Sequence, residues 1–148
     1  MAVGKQLSTP LLSLQQDYER RMARYLTIEW RLLPASRSTE QQMIRQEESD
    51  RISAELRPGD VLVILDERGT EWNNPELARQ LESWTSAQGK LVLVLGGAYG
   101  ITPQLLQRAR AQWSLSRLVF PHELARLLVV EQLYRSCMLQ TGHPYHHA

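Results

Sequence analysis

LVLVLGGAYG, Leu91 to Gly100, decides how the rest of the chain is read. Its first five residues are apolar with no polar alternate, and Val92 and Val94 are β-branched. A strand with one wet face alternates apolar and polar residues, so a continuous apolar run of this length points to a strand covered on both faces, as in a parallel sheet. Gly96, Gly97 and Gly100 then permit a tight turn and let backbone amides approach a ligand closely. A second run of the same kind, VLVIL from Val61 to Leu65, precedes it and leads into a loop, Asp66 to Gly69.

Between the two runs, Asn74 and Pro75 fit the N-cap and first turn of a helix carrying Leu77, Leu81 and Trp84, which Gly89 closes. Downstream, Thr102-Pro103 starts a short helix, Arg117 to Phe120 reads as a last short strand, and Pro121 opens the terminal helix. Upstream, the spacing predicts a helix from about Thr9 to Leu26, with Arg20, Arg21 and Arg24 on its polar side. Thr27 to Leu33 alternates like a strand, and Ser38 with Gln41 suggests a capping box for a polar helix reaching about Leu56. Strands alternating with helices imply an α/β fold: a mostly parallel sheet with helices on both faces. At 148 residues, the chain is expected to form one domain over residues 1–148.

With 43% hydrophobic and 22% charged residues, the composition is that of an ordinary globular protein, and no apolar run approaches the roughly 20 residues of a membrane span. No segment of signal-peptide character stands at the N-terminus, so the expected location is the cytoplasm. The net charge of +1 lacks the basic excess of a protein that grips naked nucleic acid through many phosphates. Of 17 basic residues only Lys5 and Lys90 are lysine, a bias that suits phosphate and base contacts and equally follows from a GC-rich genome. The single cysteine, Cys137, reads as a buried structural thiol.

A glycine turn at the carboxyl end of a buried parallel strand is where open sheets bind ligands. The pattern here is Gly-Gly-x-x-Gly, without an acidic residue about 20 positions on, which argues against a dinucleotide site; no Gly-Lys-Ser/Thr marks a phosphate loop, and no Gly-x-Ser-x-Gly marks a hydrolase. His143, His146 and His147 crowd the C-terminus with no carboxylate or cysteine at ligand spacing, so no metal site is expected. On a helical wheel the terminal helix is apolar in every sector, with Arg126, Glu131, Gln132 and Arg135 scattered, and this predicts that a partner chain covers what its own sheet does not.

Together, LVLVLGGAYG, WSLSRLVFPHELARLLVVEQLYR (Trp113 to Arg135), HPYHH (His143 to His147) and the weaker VILDERG (Val63 to Gly69) resemble the SPOUT-class, or trefoil-knot, methyltransferases, specifically the type that methylates a pseudouridine of bacterial 23S ribosomal RNA. The resemblance covers nearly the whole chain. It implies a C-terminal trefoil knot, a homodimer, and S-adenosyl-L-methionine held mainly by backbone groups of Leu65, Gly96 and the segment Leu115, Ser116, Arg117, Leu118, Val119 and Phe120. It further implies N3-methylation on the assembled ribosome, with no metal, and makes Tyr145 and His143 the candidates to position or deprotonate the acceptor ring. Three departures from the family stand out: a first strand of about three residues, so that either the start is misassigned or that edge is weak; Tyr99 where relatives often carry an acidic residue; and His147 where an arginine can sit. The rival functions are a non-catalytic knotted RNA-binding or ribosome-assembly protein and a nicotinamide-dependent oxidoreductase.

Overall fold

Five strands, all parallel, form one sheet in a computed structural model that describes residues 1–141. In chain order the elements are β1 (Ala2–Val3), α1 (Thr9–Met22), β2 (Leu32–Leu33), α2 (Gln41–Glu55), β3 (Val61–Glu71), α3 (Asn74–Thr85), β4 (Leu91–Leu95), α4 (Pro103–Arg108), β5 (Ala111–Ser114) and α5 (His122–Gln140). The sheet order is β2-β1-β4-β3-β5.

The two apolar runs are neighbours in register, Leu62 opposite Val92, Val63 opposite Leu93 and Ile64 opposite Val94. Because side chains alternate along a strand, each run feeds two cores. Leu62, Ile64, Val92 and Val94 pack with Ile52 of α2 and Leu105 of α4. Val63, Leu95 and Trp113 pack with Met22 of α1, Leu77, Leu81 and Trp84 of α3, and Val129, Leu133 and Cys137 of α5. Helices therefore cover both faces, which is why neither run could carry a polar residue.

The first strand departs from expectation in position. β1 is internal, flanked by β2 and β4, and its short ladder is extended by the Met1 amino group donating to the Leu93 carbonyl at 2.7 Å and by Leu95 N–H donating to Met1 at 3.0 Å. It is no weak edge. Thr27 to Leu33 is a strand only at Leu32–Leu33. Its alternation reflects Ile28 and Trp30 dipping into the core beside an irregular backbone, with Trp30 Nε1 donating to Glu19 at 2.6 Å.

Other boundaries shift for local reasons. α1 ends at Met22, four residues early, where Tyr25 and Leu26 N–H both turn back to the Met22 carbonyl. The α3 cap is Asn73, one residue before the expected one, in a reciprocal box with Glu76 whose two hydrogen bonds are each 2.9 Å. Ser38 does not cap α2; its hydroxyl accepts from Glu40 N–H in the turn before the helix. The last strand is Ala111–Ser114, not Arg117 to Phe120, because Trp113 pairs with both Leu65 and Thr70 of β3 and leaves the next residues as a loop. β3 itself resumes after the irregular stretch between Leu65 and Thr70 and pairs on to Glu71.

The terminal helix is covered more completely by its own chain than its wheel predicts. α5 packs between α1 and α3 and buries Val129, Val130, Leu133, Tyr134, Cys137 and Met138. Tyr18 of α1 meets Tyr134 with ring centroids 5.5 Å apart, and Arg21 donates to the Tyr134 hydroxyl at 2.8 Å. Cys137 of α5 is buried in the core, and burial raises its thiol pKa. Apolar surface remains exposed at the start of the helix, at Leu124 and in the preceding loop at Leu118 and Val119. Among the described residues no helix is long and apolar enough to cross a membrane.

Candidate functional site

The carboxyl ends of four strands and the irregular middle of β3 open on one cleft of about 1040 Å³. Val3 of β1 and Gly4, Ser36 after β2, Leu65 to Arg68 within β3, Leu95 of β4 and the turn to Ile101, and Leu115 after β5 all contribute. That is the ligand-binding end of an open parallel sheet.

One wall is the glycine turn. Gly100 takes φ +76° and its N–H donates to the Gly97 carbonyl at 3.0 Å, closing a tight turn that a side chain at Gly100 would strain. A Cβ on Gly96 would lie 2.7 Å from Ile101 Cδ1, and one on Gly97 would collide with Glu48 Oε2. The turn is bare because other side chains already occupy that space.

α2 supports this wall with residues one turn apart. Arg45 Nε donates to the Tyr99 carbonyl at 2.9 Å, and Ser49 Oγ accepts from Thr102 N–H at 3.0 Å. Between them Glu48, only 3% exposed, accepts Ser36 N–H on Oε1 at 3.0 Å and leaves Oε2 buried without a donor. The helix that reads as merely polar is thus the backing of the turn. An i, i+3, i+4 stripe of Arg45, Glu48 and Ser49 is the signal that could have shown it.

The other wall is the loop from Leu115 to Phe120. Ser114 Oγ donates to the Ser116 carbonyl and Ser116 Oγ accepts from Leu118 N–H, both at 3.0 Å, so two hydroxyls shape the backbone. Leu118 and Val119 are 71% and 81% exposed. Of the expected cofactor positions, Leu65, Gly96, Leu115, Ser116, Leu118, Val119 and Phe120 line the one cleft; Arg117 does not, and its exposed side chain stands 3.7 Å from Glu71. Tyr145 and His143 lie outside the described residues.

The floor is electrostatically ordered. Asp66 is held below its usual pKa chiefly by hydrogen bonds from Arg68, at 2.8 and 2.9 Å. His122, at the start of α5, has its pKa lowered, first by burial and then by the charge of Arg126, against the opposing pull of the Gly96 and Leu95 backbone and of Glu48. Its Nε2 is buried without a partner. Arg126, 1% exposed, sits 4.7 Å above the Trp30 ring and donates to the Lys5 carbonyl at 2.9 Å, so it anchors the segment after β1 and does not face solvent. Glu131 and Arg135 pair at 2.6 Å in a partly buried setting. Among the described residues no group of three or more His, Cys, Asp or Glu is placed to hold a metal ion.

A roomy, partly apolar cleft with backbone amides and a few buried polar atoms, at the carboxyl end of a parallel sheet, is a site for a small organic ligand. Comparison with known proteins gives it a family. The family model described as Predicted SPOUT methyltransferase matches residues 1–146, and the chain belongs to that family of enzymes. It is 39% identical to the ribosomal RNA large subunit methyltransferase H of Acetivibrio thermocellus, over 99% of this chain and 96% of the relative. Proteins of the same description from Gloeobacter violaceus and Nitrosococcus oceani are 37% and 36% identical, over 99% and 100% of this chain and 96% of each relative.

Proposed function

We propose that this protein transfers a methyl group from S-adenosyl-L-methionine to N3 of a pseudouridine in 23S ribosomal RNA, as a cytoplasmic homodimer acting on the assembled ribosome. The observation that carries the reading is that the two segments most like the family, the glycine turn and the loop from Leu115 to Phe120, line one cleft. The relatives' shared description as large-subunit ribosomal RNA methyltransferases supports the substrate.

The cleft suits this cofactor. Leu65, Leu118, Val119 and Phe120 offer apolar cover for an adenosyl group, the bare Gly96-Gly97 backbone lets a ligand approach amides directly, and the unpartnered Glu48 Oε2 suits a cationic ligand. When bound, the cofactor supplies a methyl group activated on a sulfonium. The chain's own work is alignment and exclusion of water, worth most when the reacting atoms are held in line. The Arg126 anchor and the α2 buttress hold two sides of the cleft rigid for that purpose. The proton leaving N3 needs an acceptor, and Tyr145 and His143 are the proposed residues to position or deprotonate the ring. A knot formed by the terminal segment would seat α5 against the cleft, and a second copy would cover Leu118, Val119 and Leu124.

Mass spectrometry of large-subunit RNA from a strain lacking the gene, before and after incubation with the protein, tests substrate and reaction together: one missing methyl should return. A thermal-shift comparison should show stabilisation by S-adenosylhomocysteine and none by NAD, since only a ligand of the native state raises the midpoint. Stabilisation by NAD alone would favour an oxidoreductase. Wild-type rates in Tyr145→Phe and His143→Ala would remove those residues from the mechanism.

A further inference from the structure

A buried carboxylate oxygen with no donor is costly, and native structures seldom keep one without a use. Glu48 Oε2 is such an atom, and it lies directly under the turn expected to contact the cofactor. Its sister oxygen is held by Ser36 N–H, which fixes the carboxylate in place. Glu48 and Gly97 both line the cleft, and Oε2 fills the space that a Cβ on Gly97 would take.

The other carboxylates lining the cleft are differently placed. Asp66 is engaged by the Arg68 fork, Glu123 accepts Ser8 N–H at 3.1 Å, and Glu67 is exposed. Glu48 is the one that is both buried and half satisfied. S-adenosylmethionine carries two cationic groups, and they differ chemically: the sulfonium has no N–H or O–H, whereas the α-ammonium is a charged donor. A desolvated carboxylate oxygen is matched by a charged donor.

We propose that Glu48 is a cofactor-binding residue whose Oε2 accepts a hydrogen bond from the α-ammonium of S-adenosylmethionine, so that α2 reads the amino-acid end of the cofactor through the gap left by Gly97. This rests on the cofactor reading given above. It adds a residue from a helix outside the two resembling segments, and it assigns a cause to the paired glycines: the first clears Ile101, and the second clears the carboxylate.

Two ligands and two variants test it by calorimetry. S-adenosylhomocysteine has the α-ammonium; 5′-methylthioadenosine keeps the adenosyl thioether and lacks the amino-acid end. Glu48→Gln should weaken S-adenosylhomocysteine by at least about tenfold while changing 5′-methylthioadenosine by less than about twofold, because a charge-assisted hydrogen bond is lost from one ligand only. Glu48→Asp, which keeps the charge, should recover part of the affinity. Circular dichroism and the ligand-free unfolding midpoint establish that each variant is folded; should Glu48→Gln fail to fold, the ratio of the two affinities in Glu48→Asp against wild type decides. Equal losses for both ligands would make Glu48 a support of the turn only, and an unchanged S-adenosylhomocysteine affinity would exclude any contact; either overturns the proposal. Wild-type protein that binds neither ligand would overturn the cofactor reading as well, a result distinct from the other two.

Discussion

The two walls of the cleft are built on opposite plans. The glycine wall is backed by α2, with Arg45, Glu48 and Ser49 each touching the turn or the residues just after it, and its free volume is already filled by Ile101 and Glu48. The other wall is shaped by two serine hydroxyls, is rooted in the core by Leu115, and holds Leu118 and Val119 out in solvent. One wall is packed from behind, and the other carries its outer apolar side chains exposed. On the function proposed above, a site so divided would hold S-adenosylmethionine in a fixed frame and leave one side to adapt to the RNA.

Removing the root of the open wall should have the largest effect. Trp113 is 2% exposed, joins β5 to β3 and lines the cleft, so Trp113→Ala should cost about 3–5 kcal/mol in urea unfolding and abolish S-adenosylhomocysteine binding. Next comes the closed wall: Gly97→Ala places a methyl against the pinned Glu48 carboxylate and should cost about 1–3 kcal/mol, with weaker binding of S-adenosylhomocysteine by calorimetry. Full stability in that variant would show that the turn is not pre-built.

A smaller effect belongs to His122, which joins the walls at the head of α5. Its native pKa lies below the unfolded value of about 6.5, so between the two the unfolded chain binds more protons. Its share of stability is complete above the unfolded pKa and is lost as pH falls through the lowered native value. Denaturant unfolding at pH 7.5 and 5.5 should therefore show a shallower acid loss in His122→Asn than in wild type. The smallest stability change is expected at the open wall's tip: Leu118→Ser with Val119→Ser should stay within about 0.5 kcal/mol of wild type while weakening S-adenosylhomocysteine. A large loss of stability would mean that this wall, too, is packed before binding.

What the sequence disclosed follows the same division. LVLVL and VLVIL declare a buried parallel pair because burial on both faces leaves no room for a polar residue, and the glycines declare the turn because only bare backbone fits there. Arg117 to Phe120 misreads as a strand since a short, mostly apolar run with a β-branched residue looks the same whether the backbone pairs or loops; the pairing of Trp113 with two positions of β3 decides the matter, and it lies in space, not in sequence. Glu48 was hard to see for a related reason. On a helix of mostly polar residues, only its i, i+3, i+4 spacing with Arg45 and Ser49 hints that its carboxylate is buried under a turn 49 positions away rather than solvated. The wheel of α5 shows how apolar the helix is and not which elements cover it, and it could not foresee that α1 and α3 would pack against the helix.

The hydrogen bond from Arg126 to the Lys5 carbonyl spans 121 positions of sequence. β1, in the middle of the sheet, likewise finds β4 only after some ninety residues have intervened. Contacts this distant close late, because the entropy of the intervening chain must be lost before they form. During synthesis the first strand therefore emerges long before its neighbours on the β4 side and its anchor on α5, and a cleft lined from Val3 to Ala125 is complete only when the last helix has left the ribosome. Affinity for S-adenosylhomocysteine is therefore expected only once α5 is in place, and its capture by stalled, ribosome-bound chains of increasing length would time the closing of the fold.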